Sequence, residues 1–205
     1  MIDKISNKIL SILSTNNNTE EEKEILLFGI TRIVEDIPKT IGIILIGILL
    51  NIIKEMVIVT VIIMLYKTFV GGVHAKTNLG CFIYSVVFYL AIIYSAKYLV
   101  LTGMYKTLTY ILIYIFSMYC ILVYAPADVP EIPKVNAKLR KTLKIKSTVM
   151  LNLIYIVSLL FIKNIAYQTI IIYSVFYISI MTTRTMYKIF KAEYGYETYI
   201  PDELM

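Results

Sequence analysis

Six apolar stretches, at roughly 37–53, 56–66, 82–100, 107–124, 148–162 and 165–181, dominate this chain. Several are shorter than the ~20 residues that span a bilayer core of ~30 Å. Only Lys54-Glu55 divides the first two, and only Lys163-Asn164 divides the last two. Fused into single helices, 37–66 would run ~45 Å and 148–181 ~51 Å, too long for upright spans. Two short spans in each case fit better. Hydrophobic residues make up 59% of the chain and charged residues 17%, against roughly 25% charged in a soluble domain. A soluble globular fold and a disordered chain are both excluded. The expected class is all-α: a polytopic membrane protein of about six transmembrane helices.

Basic residues orient those spans, because they concentrate on the cytoplasmic side. With six spans and a cytoplasmic N-terminus, 16 of the 20 Lys and Arg fall inside. Only Lys54, Lys97, Lys106 and Lys163 remain outside. Merging the first pair of stretches would put the basic cluster 134–146 outside, against the rule. The expected location is therefore the bacterial cell membrane, multi-pass, with both termini cytoplasmic. The net charge of +6 reads as topology, with no nucleic-acid partner. No apolar signal-peptide core follows Met1, so the first span is expected to act as its own targeting signal.

Residues 1–36 read as N-terminal amphipathic helices in the interface, 37–181 as the transmembrane domain and 182–205 as a cytoplasmic tail. Ile2, Ile5, Ile9, Ile12 and Leu13 recur at helical spacing. Thr19 and Glu22 form a capping-box signature for a second helix through about Val34. An ordinary lipid anchor and a substrate-docking surface both fit this segment.

Chemistry concentrates between the second and third spans. Gly71, Gly72, the only His (His74), Gly80 and Cys81 lie within eleven residues. Irregular backbone at membrane depth survives where it is buried in protein or lines a wet cavity. An ionisable residue there marks a functional site. A thiolate attacks carbonyls, and an imidazole can take its proton. His74 and Cys81 are the only such pair, although a lone His and a Cys are more often structural. Cys120 lies within an apolar span and reads as a small buried hydrophobe. One His and two Cys make no convincing zinc set; no metal and no cofactor are expected.

Residues seven apart in a straight helix share a face but lie ~10.5 Å apart along its axis, beyond the ~3 Å of proton transfer. The segment 71–80 should therefore leave the helix, or the pair should be completed across a homodimer. Backbone N–H groups near Gly80 and Cys81 are candidate oxyanion donors, and the helix start favours negative charge; alternatively, Gly80 only permits close packing. Thr77, Asn78 and Asp128 are candidates for a third, orienting group.

The run Gly71-Gly72-Val73-His74-Ala75, with a Cys seven residues after the His, resembles the accessory gene regulator protein B family of Gram-positive bacteria. Ala125-Pro126-Ala127-Asp128, followed by prolines and a basic cluster, is a second similar stretch. Two departures stand out: the second stretch lacks the family's Lys-Pro pair, and Lys67 stands where Arg is more usual. The resemblance implies a membrane-embedded cysteine endopeptidase acting on the precursor of a quorum-sensing peptide. It implies His74 and Cys81 as the catalytic pair, with Cys81 forming an acyl-enzyme. An internal Cys or Ser of the peptide would resolve that thioester into a thiolactone or lactone ring, releasing an acidic tail. Partners implied are the precursor, the lipid bilayer and a second copy in a homodimer.

Lys67, Gly71, Gly72, Lys138, Arg140, Lys141 and Lys144 are the candidate substrate-binding residues. For the basic cluster two readings stay open: topology with anionic-lipid contact, or a grip on the precursor's acidic tail. The rival function is a small transporter or channel subunit exporting a peptide without catalysis. Such proteins usually show several intramembrane charges or paired broken helices, whereas this chain has one Gly-rich break.

Overall fold

The computed structural model describes residues 2–13, 19–73, 75, 77–99, 102–129, 134 and 136–195. These residues form eight helices and no strand. The chain divides into two compact units, Met1–Ile53 and Lys54–Met205.

The first unit holds α1 (Ile2–Leu13) and α2 (Glu20–Leu49), which pack on each other. The capping box forms: the Glu22 N–H donates to the Thr19 hydroxyl (3.2 Å), and the Thr19 N–H to the Glu22 carboxylate (3.0 Å). The break expected after Val34 is absent, and α2 runs on through Pro38 for 30 residues in all. Proline removes one helical N–H, but no Gly or turn-forming dipeptide accompanies it. Local bonds also hold the backbone there: the Thr40 hydroxyl donates to the Asp36 carbonyl (2.9 Å), a way membrane helices tolerate Pro. α2 stops where Asn51 takes a left-handed conformation (φ +56°), with the Ile52 N–H returning to the Gly47 carbonyl (2.8 Å). The first break therefore falls at 50–52, not at Lys54-Glu55. Those two residues sit in the first turn of the next helix, where an acid complements the dipole.

The second unit contains α3 (Ile53–Val70), α4 (Asn78–Tyr98), α5 (Gly103–Val123), α6 (Ala137–Phe161), α7 (Ile165–Met181) and the short α8 (Arg184–Ile189). Its centre is α7, which packs against α4, α5, α6 and α8. Nearly every residue from Gln168 to Ser179 is buried, as a helix apolar on all sides must be. Two tyrosines that enter this core pair with hydroxyls on another helix. Tyr66 of α3 meets Ser179 (3.3 Å), and Tyr110 of α5 meets Thr169 (2.8 Å). Asn164 caps α7 by accepting from the Ala166 and Tyr167 N–H groups, so α6 and α7 are separate helices.

Helices α4, α5 and α6 are long and apolar enough to cross a membrane, and α7 is a shorter apolar helix. The basic run 138–146 is not a loop. It forms the first turns of α6, which Asn136 caps through the Lys138 and Leu139 N–H groups. Asn is a preferred cap at such a start, and the Lys, Leu and Arg that follow are good helix formers.

Candidate active site

The chain leaves the helix at Val70 and re-enters it at Asn78. Gly71 (φ +78°) and Gly72 (φ +132°) make the exit with backbone angles that favour glycine. Their backbone docks on the segment after α5. The Ala127 N–H donates to the Val70 carbonyl (2.9 Å) and the Gly72 N–H to the Ala127 carbonyl (2.9 Å). One residue on, the Val73 N–H donates to the Met181 carbonyl at the end of α7 (3.1 Å). A Cβ on Gly71 would lie 1.9 Å from the Ala127 oxygen, so no other residue fits. The two stretches singled out in the sequence, around Gly71 and around Ala127, are thus bonded to each other.

The receiving segment is itself anchored. Asp128 is buried, and one carboxylate oxygen accepts from the Lys134 N–H (2.7 Å) and the Arg140 guanidinium (3.3 Å). Burial pulls the Lys134 ammonium below the usual lysine range, opposed by the nearby Asp128 charge. The Asp128 carbonyl accepts from the Tyr187 hydroxyl of α8 (2.8 Å), and Tyr187 stacks on Tyr194 at 4.0 Å. Burial pushes the Tyr187 hydroxyl far above the usual tyrosine range, which keeps it a donor.

Cys81 is the fourth residue of α4 and is half-buried. Thr77 caps that helix: its hydroxyl accepts from the Gly80 N–H (3.0 Å) and its carbonyl from the Cys81 N–H (2.8 Å). Both N–H groups considered as oxyanion donors are therefore spent within the helix start, because a cap satisfies those very groups. Thr77 serves as this cap, and Asp128 is held by Lys134 and Arg140.

The Cys81 side chain borders a cavity of about 110 Å³, which Val73, Ala75, Lys67, Tyr84 and Phe190 also line. His74 lies outside the described residues, but its flanking residues Val73 and Ala75 both border this cavity. Gly71 and Gly72 shape the backbone rather than the cavity wall. Lys138, Arg140, Lys141 and Lys144 lie on α6, away from it. There Arg140 bonds Asp128, and Lys144 donates to the Leu122 carbonyl (2.6 Å), while Lys138 and Lys141 are exposed.

Sequence reasoning missed two walls of this cavity. Tyr84, Ser85, Phe88 and Ile92 line it together with Cys81. Their spacing of three, four, seven and eleven from Cys81 marks one helix face, a signal legible in the sequence. Met181 and Phe190, contributed by the end of α7 and the chain after α8, had no such signal.

The accessory gene regulator B family model matches residues 2–183. The chain is 25% identical over 159 residues to a protein of Clostridium perfringens (strain SM101 / Type A) named "Putative AgrB-like protein", covering 76% of this chain and 73% of that one. It is 24% identical over 148 residues to "Putative AgrB-like protein 2" of Clostridium perfringens (strain 13 / Type A), covering 70% and 69%. No solved structure matches. The family match runs through both docked stretches and through Cys81, and on that extent the chain belongs to the accessory gene regulator B family.

Proposed function

We propose that this protein is a membrane-embedded cysteine endopeptidase that processes the precursor of a quorum-sensing peptide. The observation that carries the reading is the shared cavity: Cys81 and both neighbours of His74 border the same space. In this reading the Cys81 thiol gives its proton to His74, and the sulfur attacks the carbonyl after the signal segment. The C–N bond breaks, the proton passes to the leaving amine, and the acidic tail departs. A thiol or hydroxyl within the bound peptide then attacks the thioester, closing the ring and freeing Cys81. Ile63, Phe88, Ile92 and Ile178 give the cavity an apolar part, and a peptide filling it would exclude water, favouring ring closure over hydrolysis. Reconstituted membranes given precursor should release an N-terminal fragment one water lighter than the linear product. A linear fragment alone would contradict the ring-closing step.

Six spans with the site facing the cytoplasm complete the proposal, supported by the distribution of basic residues. The roles on α6 divide. Exposed Lys138 and Lys141 are assigned to the precursor's acidic tail, whereas Arg140 and Lys144 hold the protein's own segments together. Each exposed contact is worth at most ~1 kcal/mol, so neutralising Lys138 and Lys141 should weaken precursor affinity roughly tenfold at low salt. The loss should shrink as salt rises and vanish for a precursor with a neutralised tail. Arg140→Gln should instead impair every precursor alike, because it strips a partner from buried Asp128. A processing assay crossing these variants with both precursors at two salt concentrations checks the division. Equal, salt-independent losses for Lys138/Lys141 variants on both precursors would return those lysines to a topological role.

A further inference from the structure

We infer that Phe190, supplied by the C-terminal segment, sets the size of the side chain accepted beside Cys81. That side chain is apolar and belongs to the residue whose carbonyl Cys81 attacks. This inference rests on the reading of Cys81 as nucleophile.

Three of the cavity's walls bear on its size. One is the Cys81 face of α4, with Tyr84 and Phe88; the second is Tyr177 and Ile178 of α7; the third is Phe190. Among the described residues lining it, Lys67 is the single charged one and most of the rest are apolar or aromatic, which suits an apolar occupant. Because the nucleophilic sulfur borders the cavity, the attacked carbonyl sits at its mouth, and the side chain one bond away points in.

The cavity measures about 110 Å³, of the same order as the ~150 Å³ apolar cavity that takes up a single benzene ring. One hydrocarbon side chain therefore occupies much of it, and the position of its walls limits how large that group is. Phe190 is the wall whose removal would enlarge it most simply, being only partly buried and lying against Tyr84 with ring centroids 4.5 Å apart.

Its position is fixed from behind. The Phe190 N–H donates to the Met186 carbonyl (2.9 Å), and the ring packs on the cluster of Val73, Ala127 and Tyr187. That cluster also holds the Gly71–Val73 backbone next to His74. The C-terminal segment therefore acts as a positioning and gauging element of the site rather than as a free tail.

Two readouts on the full-length protein in membranes test this. The first compares cleavage of precursors bearing Leu or Phe as the acyl-donor residue. Phe190→Ala should shift the Phe-to-Leu ratio at least tenfold toward Phe, within the ~10–200-fold range that pocket size differences command. The second needs no peptide chemistry. In a Cys120→Ala background, the rates at which methyl and benzyl methanethiosulfonate label Cys81 are compared. Phe190→Ala should raise the benzyl-to-methyl ratio at least tenfold, on the same pocket-size argument. Phe190→Leu, which keeps an apolar contact to Tyr84, should move both ratios the same way by less and stands in if the alanine variant misfolds. Ile189→Ala, at an exposed neighbouring position, should change neither. Cleavage that depends on Cys81 with both ratios unchanged in the Phe190 variants would overturn the inference alone. Cleavage surviving Cys81→Ser would overturn the nucleophile reading instead.

Discussion

Cys81→Ser should lower precursor cleavage by roughly a thousandfold or more, because a serine hydroxyl at the same place lacks the acidity and nucleophilicity of a thiol. The protein should still insert and bind its precursor, since the two side chains are nearly equal in size and Cys81 is only half-buried. Cys120→Ser is the matched control. Cys120 is fully buried in α5, near the Thr182 hydroxyl, which donates to the Ser179 carbonyl (2.7 Å) and keeps its oxygen free to accept. A new hydroxyl there finds a partner, so the cost is about 1 kcal/mol of stability with activity largely retained. Cleavage rates and precursor binding, measured on both variants at matched expression, check the contrast. Similar activity in the two variants would end the protease assignment.

Gly71→Ala is the second large effect, and it reports on architecture rather than chemistry. Its Cβ would meet the Ala127 carbonyl oxygen at 1.9 Å, so the docked segments must part. Separation breaks the Gly72–Ala127 and Ala127–Val70 hydrogen bonds, both 2.9 Å, and leaves buried groups unpaired at about 1–3 kcal/mol each. The left-handed φ adds about 1 kcal/mol for any residue with a Cβ. A destabilisation of roughly 3 kcal/mol or more should follow. Activity should fall by about a hundredfold or more, since the shift moves the chain on either side of His74 by about an ångström. Gly72→Ala should cost less, because its Cβ would sit at an ordinary 3.4 Å from the Met181 oxygen, leaving only the strain of φ +132°. The rate at which buried Cys120 becomes reactive on heating in detergent measures the first effect, and the processing assay the second. Equal behaviour of the two alanine variants would mean that the docking contact does not hold the site.

The helical class and the apolar cores of α4, α5, α6 and α7 were legible because lipid-length apolar runs admit few other structures. The exit from the helix after Val70 was legible too, since a His–Cys pair seven apart cannot meet on a straight helix. Helix limits were less so. The second helix was expected to end at about Val34 and instead runs to Leu49, where the actual stop depends on Asn51, whose left-handed conformation only a tertiary setting reveals. The docking of Gly71 on Ala127 joins residues 56 positions apart in the chain. No local pattern encodes such a contact, although both stretches stood out individually. Arg140 and Lys144 looked like their lysine neighbours, and only the positions of Asp128 and the Leu122 carbonyl separate their roles. Phe190 was invisible as a site residue because it reaches the cavity through the packing of α8 alone.

The most direct test of the account is capture of the acyl-enzyme. Membranes containing the full-length protein are mixed briefly with precursor, quenched in acid and digested, and the peptide carrying Cys81 is examined by mass spectrometry. The account predicts an adduct on Cys81 equal in mass to the acylating N-terminal part of the precursor, removed by hydroxylamine as a thioester is, and absent from Cys120. Release of the acidic tail with Cys81 unmodified throughout the time course, and undiminished in Cys81→Ser, would contradict it.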